Sequence, residues 1–455
     1  MKRYWCEQAV VQGGTGPGAG PTGPTVAERV EIEAEDGRIT RITPSVDASP
    51  GAHLLPGVVF PAAANAHSHA FHRILRGRTH HNRGDFWVWR EHMYRSAAEL
   101  TPEAYEQLAT AVFTEMVVAG FSSVAEFHYV HHQPGGKPYA EPHAMELALA
   151  RAAAAAGIRL TLLDTLYLAG GIGMPLSPEQ ARFGDRDVHA WLDRLASLRT
   201  HIAGTFPPGM VSVGAALHSV RGVPEADLAV VADQLPHDLP LHIHLSEQPA
   251  ENAACLAAHG LTPTGLLARH GLLSPRLSAV HCTHLTAEDI DLLGNAGATV
   301  VMCPTTEADL ADGIGPARAL SDAGASIALG TDQHAVIDPW IEMRALEYGE
   351  RLGSGERGRF SPEELLHAAT EGAVRSMATP VAPEALRVGA VCDLVAVAAG
   401  SARTAGSKPQ QLPLSATTAD VTSVVINGEL VASDGVHHRL GAPGSLLTAA
   451  LKNFS

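Results

Sequence analysis

The sequence is poor in lysine and in cysteine, and it has neither long apolar runs nor clusters of one charge sign. Only four lysines occur (Lys2, Lys137, Lys408 and Lys452) among 32 basic residues, so arginine carries almost all of the positive charge. No run of Lys or Arg is long enough to form a basic stripe. With a formal net charge of −16, the electrostatic footprint of a nucleic-acid binder is missing. The five cysteines, Cys6, Cys255, Cys282, Cys303 and Cys392, form no Cys-x-x-Cys pair. A sparse, odd set in so long a chain argues against a disulfide framework and reads as buried thiols. No stretch approaches the roughly 20 apolar residues that span a bilayer. Behind Met1-Lys2-Arg3 there is no apolar segment of the signal-peptide kind. A cytoplasmic protein with no membrane or nucleic-acid partner is expected.

What is present suits a large folded core: 45% of the 455 residues are hydrophobic and 18% charged, enough for one big domain and a smaller one. Short apolar runs at Trp5–Val11, Val26–Ile32 and Ile39–Ile42 surround a Gly/Pro-rich segment, Gly13–Pro24, which reads as a flexible loop. From Pro56 the pattern changes. Runs of strand length alternate with Ala/Leu-rich helical stretches, the signature of βαβ units around a parallel sheet. The runs are Val58–Ala66, Ser123–Tyr129, Leu160–Leu166, Val211–Leu217, Leu239–Leu245, Leu277–His281, Thr299–Cys303 and Ser326–Leu329. Eight is the number that closes a barrel. Between them, stretches such as Pro102–Ala119, Pro142–Ala156, Ala226–Gln234 and Ala287–Asn295 repeat apolar residues every three or four positions, as helices covering a barrel must. A further helical run, Pro362–Met377, leads out. The tail returns to strands at Leu386–Val397 and Ser423–Ser433, the second a hairpin turning on Asn427-Gly428. The expected architecture is α/β: a (β/α)8 TIM-like barrel over residues 56–380, with a small β-sandwich assembled from residues 1–55 and 381–455.

The strongest chemical signal is Asn65-Ala66-His67-Ser68-His69 at the end of the first barrel run. Two histidines two residues apart share one face of a strand and can share one cation. Alone, such a pair is often just two surface histidines. Here the fifth run ends His242-Ile243-His244-Leu245-Ser246-Glu247, the sixth Val280-His281-Cys282-Thr283-His284, and the eighth runs into Gly330-Thr331-Asp332. Metal ligands and acid–base groups therefore converge on the C-terminal strand ends, where barrel active sites lie. The spacing alone leaves open whether His242 or His244 belongs to the set.

These residues resemble the amidohydrolase superfamily. The resemblance implies a metal held by His67, His69, His244 and Asp332, with His244 preferred because Glu247 follows it by three residues. Binuclear members add a carboxylated lysine after strand four. No lysine lies in the barrel runs, so a single divalent ion is expected, zinc by default, with iron or manganese as alternatives.

The segments His67–Arg73, Asp85–Glu91, Ala125–His132, His218–Arg221 and Thr306–Gly313 are similar to the formimidoylglutamate deiminases. That family converts N-formimino-L-glutamate and water to N-formyl-L-glutamate and ammonia in histidine degradation. The resemblance implies that Asp332 takes the first proton from the attacking water, that Glu247 protonates the imino nitrogen and then the departing ammonia, and that His281 stabilises the tetrahedral centre. It also implies substrate contacts from His72, Arg90, Tyr129, His218 and Arg221, with the two guanidinium forks suited to the substrate's two carboxylates, and a homodimer. His72 departs from the family pattern, which has Gln after Ala70-Phe71.

Two other readings compete. A mononuclear deaminase of guanine, cytosine or an s-triazine would want aromatic stacking and amide donors for a flat ring. A non-catalytic scaffold would need none of His67, His69, His244, Glu247, His281 and Asp332. The pairs His80/His81, His131/His132 and His437/His438 read as solvated loop residues, with a role near the site left open for His131.

Overall fold

The N-terminal strands pair with each other before the barrel begins. β1 (Lys2–Gly13) runs antiparallel to β2 (Thr22–Glu35), and β2 to β3 (Arg38–Thr43). A computed structural model describes residues 1–13, 22–79 and 86–454. Residues 14–21 of the expected Gly13–Pro24 loop lie outside the described residues, and its described ends are strand. β4 (His53–Leu54) and β5 (Val58–Pro61) then lie parallel to β1.

The run 58–66, which reads as one strand, is two. β5 ends at Pro61, and after Ala62 the chain enters β6 (Ala63–Ser68), the first barrel strand. It is followed by β7 (Phe121–His128), β8 (Arg159–Leu166), β9 (Val211–Leu217), β10 (Leu241–Leu245), β11 (Leu277–His281), β12 (Thr299–Met302) and β13 (Ser326–Leu329). All are parallel and adjacent in chain order. Nearly every residue in them is buried. Strands covered on both faces have no polar side to show, which is why they read as unbroken apolar runs. Helices α1 (Phe86–Glu99), α2 (Pro102–Ala119), α3 (Ala144–Ala156) and α4 (Val188–Thr205) precede or pack beside the early strands. The Thr101 and Asp187 side chains accept from the amides of Ala104 and Ala190, capping the starts of α2 and α4.

The barrel closes where β13 meets β6. The amides of Thr331 and Asp332 both donate to the His67 carbonyl at 3.0 Å, and the His69 amide donates to the Asp332 carbonyl at 3.1 Å. Asn65 completes the join: its Oδ1 accepts from the Thr331 amide at 3.1 Å and its Nδ2 donates to Thr331 Oγ1 at 2.7 Å. A Cβ on Gly330 would lie 2.7 Å from the His67 Cβ, so the two strands can approach this closely only at a glycine.

Beyond the barrel, β14 (Leu394–Val397), β15 (Val421–Ile426), β16 (Glu429–Ser433) and β17 (Val436–His437) join β5 and the N-terminal strands in one nine-stranded sheet. Its outer hairpins meet, with the Cys392 amide donating to Gly37 and the Gly428 amide to Cys392, both at 2.8 Å. The expected sandwich is therefore a single hydrogen-bonded sheet curled around a core that includes Tyr4, Ile32, Val59, Leu394 and Val425. All five cysteines are buried and unpaired. Among the described residues no helix is long and apolar enough to cross a membrane.

A buried ion pair joins sheet and barrel. Both terminal nitrogens of Arg159, at the start of β8, donate to Asp393, whose Oδ1 also accepts from the Asn427 amide at 2.8 Å. Removing one partner of such a pair leaves an uncompensated buried charge, at a cost of about 3–5 kcal/mol. Arg159→Met should lower the thermal midpoint accordingly, and adding Asp393→Leu should recover part of the loss. A single variant as stable as the parent in calorimetry would show that the pair does not couple the two parts.

Candidate active site

Four ligand-type atoms converge at the barrel mouth. His244 Nε2 lies 3.2 Å from His67 Nε2 and 3.3 Å from His69 Nε2, and Asp332 Oδ1 lies 3.4 and 3.5 Å from the same two nitrogens. Tautomers follow from the neighbours. His69 Nδ1 faces the Phe127 carbonyl at 2.8 Å and His244 Nδ1 faces the His218 carbonyl at 2.9 Å. A carbonyl only accepts, so both Nδ1 atoms carry the proton and both Nε2 lone pairs point at the cluster centre. Burial, then the neighbouring His67, hold His69 down at about 3, and burial holds His67 and His244 well below their ordinary value. Neutral imidazoles with lone pairs facing one another repel unless something positive sits between them. Four corners each about 2.0–2.1 Å from a common centre are about 3.4 Å apart in a tetrahedron, so the donor set and its spacing fit one divalent cation such as zinc. His242 lies elsewhere, with its Nε2 donating to the Ser376 carbonyl at 2.9 Å.

Around this centre the backbone is unusual. His281 (φ +71°), Cys282 (φ +54°), Ser246 (φ +51°) and Asp332 (φ +43°) are all left-handed without being glycine. Such conformations persist only where the surrounding structure enforces them, and they cluster at working sites. His281 Nε2 is 3.9 Å from both Glu247 Oε1 and Asp332 Oδ2, and its Nδ1 is 3.6 Å from Glu307 Oε1. Burial opposes a charge on His281, but Glu247, Glu307 and Asp332 outweigh it and raise the imidazole to about 10.

The cluster opens into a cavity at the barrel mouth. Its lining includes all five residues expected to contact a substrate: His72, Arg90, Tyr129, His218 and Arg221. His72 Nε2 lies 3.0 Å from the Tyr129 hydroxyl. Arg221 stands 3.4 Å from Glu247 Oε2, with Glu251 behind it at 3.8 Å. Arg90 reaches the mouth because α1 lies across it, and its Nε donates to the Tyr94 hydroxyl at 2.6 Å.

Tyr94, Tyr167 and Gln180 were not foreseen. Tyr167 directly follows β8 as Tyr129 follows β7, so the strand-end rule that picks out Tyr129 applies to it equally. Tyr94 is four residues after Arg90 on one helix and thus on the same face. Gln180 carries no local signal. Two histidines read as solvated are buried instead. His131 bonds to Glu146 at 2.7 Å and to the Thr165 carbonyl at 3.0 Å, and His437 donates to the Ala156 carbonyl at 3.0 Å. His80 and His81 lie outside the described residues.

A model of the amidohydrolase family matches residues 55–431. The formimidoylglutamate deiminase of Pseudomonas aeruginosa is 36% identical over 424 residues, 90% of this chain and 92% of that one. The 8-oxoguanine deaminase of the same organism is 31% identical over 356 residues, 76% of each. Among solved structures, an amidohydrolase from Brucella melitensis matches with a TM-score of 0.88 at 31% identity, covering 99% of each chain.

The donor set of His67, His69, His244 and Asp332 predicts about one tightly held divalent ion per chain in elemental analysis of purified protein. Two equivalents retained through extensive dialysis would contradict it. His67→Ala should lose the ion, and restoring metal to Asp332→Ala should not restore turnover if Asp332 is the proton acceptor that the family resemblance implies.

Proposed function

We propose a specific reaction for this chain, which belongs to the amidohydrolase family and is a metal-dependent hydrolase of C–N bonds: the hydrolysis of N-formimino-L-glutamate to N-formyl-L-glutamate and ammonia. One observation carries this reading. His69, His244, Asp332, Glu247, Arg90 and Arg221 all face one cavity. A small dianion approaching a protein of net charge −16 needs local cations, and two guanidiniums beside a metal-type cluster supply them. The likeness to the Pseudomonas formimidoylglutamate deiminase supports the same substrate.

His67, His69, His244 and Asp332 would hold the ion, zinc being the default for three imidazoles and a carboxylate. When bound, the ion supplies Lewis acidity and lowers the pKa of a water to about 7. Asp332 takes the proton of the attacking water through Oδ2, the oxygen that faces His281. Glu247 sits between Arg221 and His281; it protonates the imino nitrogen, takes up the proton of the tetrahedral hydroxyl as the carbonyl forms and passes it to the departing ammonia, and the proton held by Asp332 then returns it to its acid form. His281 donates to the oxygen of the tetrahedral intermediate, where charge develops. Arg221, beside Glu247, takes the carboxylate nearer the reacting carbon in this reading.

A second reading has its own observation. Trp89, Tyr129, Tyr167 and Phe183 also line the cavity and would suit a flat ring, as would the likeness to an 8-oxoguanine deaminase. A panel of purines and pyrimidines beside formiminoglutamate separates the two.

Ammonia and N-formylglutamate are the expected products, and formamide as the major product would reverse the assigned direction of cleavage. Glu247→Gln should keep its metal and lose a factor of about 10² to 10⁴ in turnover. Arg221→Met should lower kcat/KM for formiminoglutamate about ten- to a hundredfold with metal content unchanged. An equal loss on an analogue without the matching carboxylate would remove Arg221 from substrate binding.

A further inference from the structure

Gln180 is buried, and its orientation is fixed by a neighbour. The Ser177 amide donates to Gln180 Oε1 at 2.9 Å, so Nε2 must point the other way, toward two phenols. It lies 3.1 Å from the Tyr94 hydroxyl and 2.9 Å from the Tyr167 hydroxyl. An amide nitrogen has two hydrogens and nothing to accept with, so both phenol oxygens accept from it. The Tyr94 oxygen also accepts from Arg90 Nε at 2.6 Å. Each hydroxyl proton must then be donated away from Gln180, and both tyrosines line the cavity. Burial, then Tyr94, raise the Tyr167 phenol above its ordinary value, which keeps that proton in place.

We infer that Gln180 is a positioning residue that sets the polarity of a donor-only wall made of Tyr94, Tyr167 and Arg90, and that this wall binds the carboxylate of the substrate farther from the reacting carbon. Location favours the far carboxylate. The Tyr129 ring is 5.3 Å from the His69 ring and the His218 ring 5.3 Å from the His244 ring, while the Tyr167 ring packs on these two at 6.2 and 4.1 Å, so one aromatic ring separates the wall from the ligand cluster. In formiminoglutamate the distal carboxylate is five bonds from the formimino carbon, about 6 Å extended on the 3.8 Å that three bonds cover in a chain. The nearer carboxylate falls toward Arg221. The cradle is tight: a Cβ on Gly170 would come within 2.6 Å of Gln180 Oε1. The identity of the anion rests on the function proposed above, whereas the direction of the hydroxyl protons does not.

Gln180→Glu tests the inference because it keeps the shape and the Ser177 contact but removes both hydrogens. Tyr94 and Tyr167 would then turn their protons toward residue 180 and present lone pairs to the cavity. On zinc-loaded protein, KM for N-formimino-L-glutamate should rise about ten- to a hundredfold, with a much smaller change in kcat. N-formimino-L-glutamine, whose distal amide brings its own hydrogens, should lose little, so the preference between the two substrates shifts by about tenfold or more. Tyr167→Phe, which removes one hydroxyl, should move KM the same way by less. Glutarate binding measured by calorimetry reads the wall without turnover and should weaken in Gln180→Glu by a similar factor. If formiminoglutamate is not turned over yet glutarate binding weakens in this way, the proposed reaction fails and the donor wall stands. Unchanged glutarate affinity together with unchanged KM overturns the wall, as do parallel losses on both substrates accompanied by a lower melting temperature, which would mark Gln180 as a packing residue.

Discussion

The seam between β6 and β13 is the constraint on which the site depends. One carbonyl, that of His67, accepts from the amides of both Thr331 and Asp332, so a candidate histidine ligand and the candidate carboxylate ligand share a backbone anchor. Ligand atoms 3.4 Å apart cannot be held by side-chain packing alone, because rotamer freedom at the end of a loop is larger than the tolerance a metal allows. Here both side chains leave rigid strand ends that are tied to each other. Asn65 and Gly330 have no part in the chemistry, yet the first fills the seam with hydrogen bonds and the second lets the strands touch. His334 adds a cross-brace, with one ring nitrogen 3.1 Å from Ser68 Oγ and the other 2.9 Å from Thr331 Oγ1. The left-handed backbone at Asp332 and His334 is the local cost of turning the chain at this point.

The mouth is built differently. Helix α1 precedes its strand by more than twenty residues and reaches the cavity only because its far end is fastened. Buried Arg182 donates to the carbonyls of Ala97 and Leu100, at the end of that helix, and to His132. A guanidinium among the last carbonyls of a helix satisfies acceptors that the helix itself cannot, and it opposes the negative end of the dipole. The same short segment that supplies Arg182 also supplies Gln180, so one stretch of chain holds the helix down and orients the phenols beneath it.

These two constructions explain what the sequence made legible. The barrel strands and their histidines could be read because strand ends obey a period of two and ligands recur at the same end of each βα unit. The break at Ala62 could not be read, since a strand of the curled sheet and a strand of the barrel are both buried on both faces and both look like Val/Ala/Phe runs. The sandwich was legible as terminal strands, but not as one sheet, because pairing between β5 and β14 joins residues more than 300 positions apart. His131 and His437 look like loop histidines until Glu146 and the Ala156 carbonyl, their partners from other elements, are in place. Tyr167 was within reach of the strand-end rule. Gln180 was not, because its role is defined by Ser177 on one side and two tyrosines from distant segments on the other.

The division between seam and mouth has a mechanistic consequence. The groups to which the proposed reaction gives the chemistry at the reacting carbon, namely Asp332, Glu247 and His281, hang from strand ends whose geometry the barrel dictates. Arg90, Tyr94 and Tyr167, which line the cavity farther from the cluster, and Gln180, which bonds to both phenols, come from α1 and the segment after β8, which touch the barrel mainly through side chains. A change in the second set alters which anion or ring is held without moving the ligand atoms, since no backbone hydrogen bond links Gln180 or Tyr94 to the seam among the described residues. Arg221 is the exception, because it touches Glu247 directly. In the proposed reaction any shift in how it grips a carboxylate would also change the field at Glu247, so substrate recognition and catalysis would be coupled at that residue and separable at the proposed donor wall.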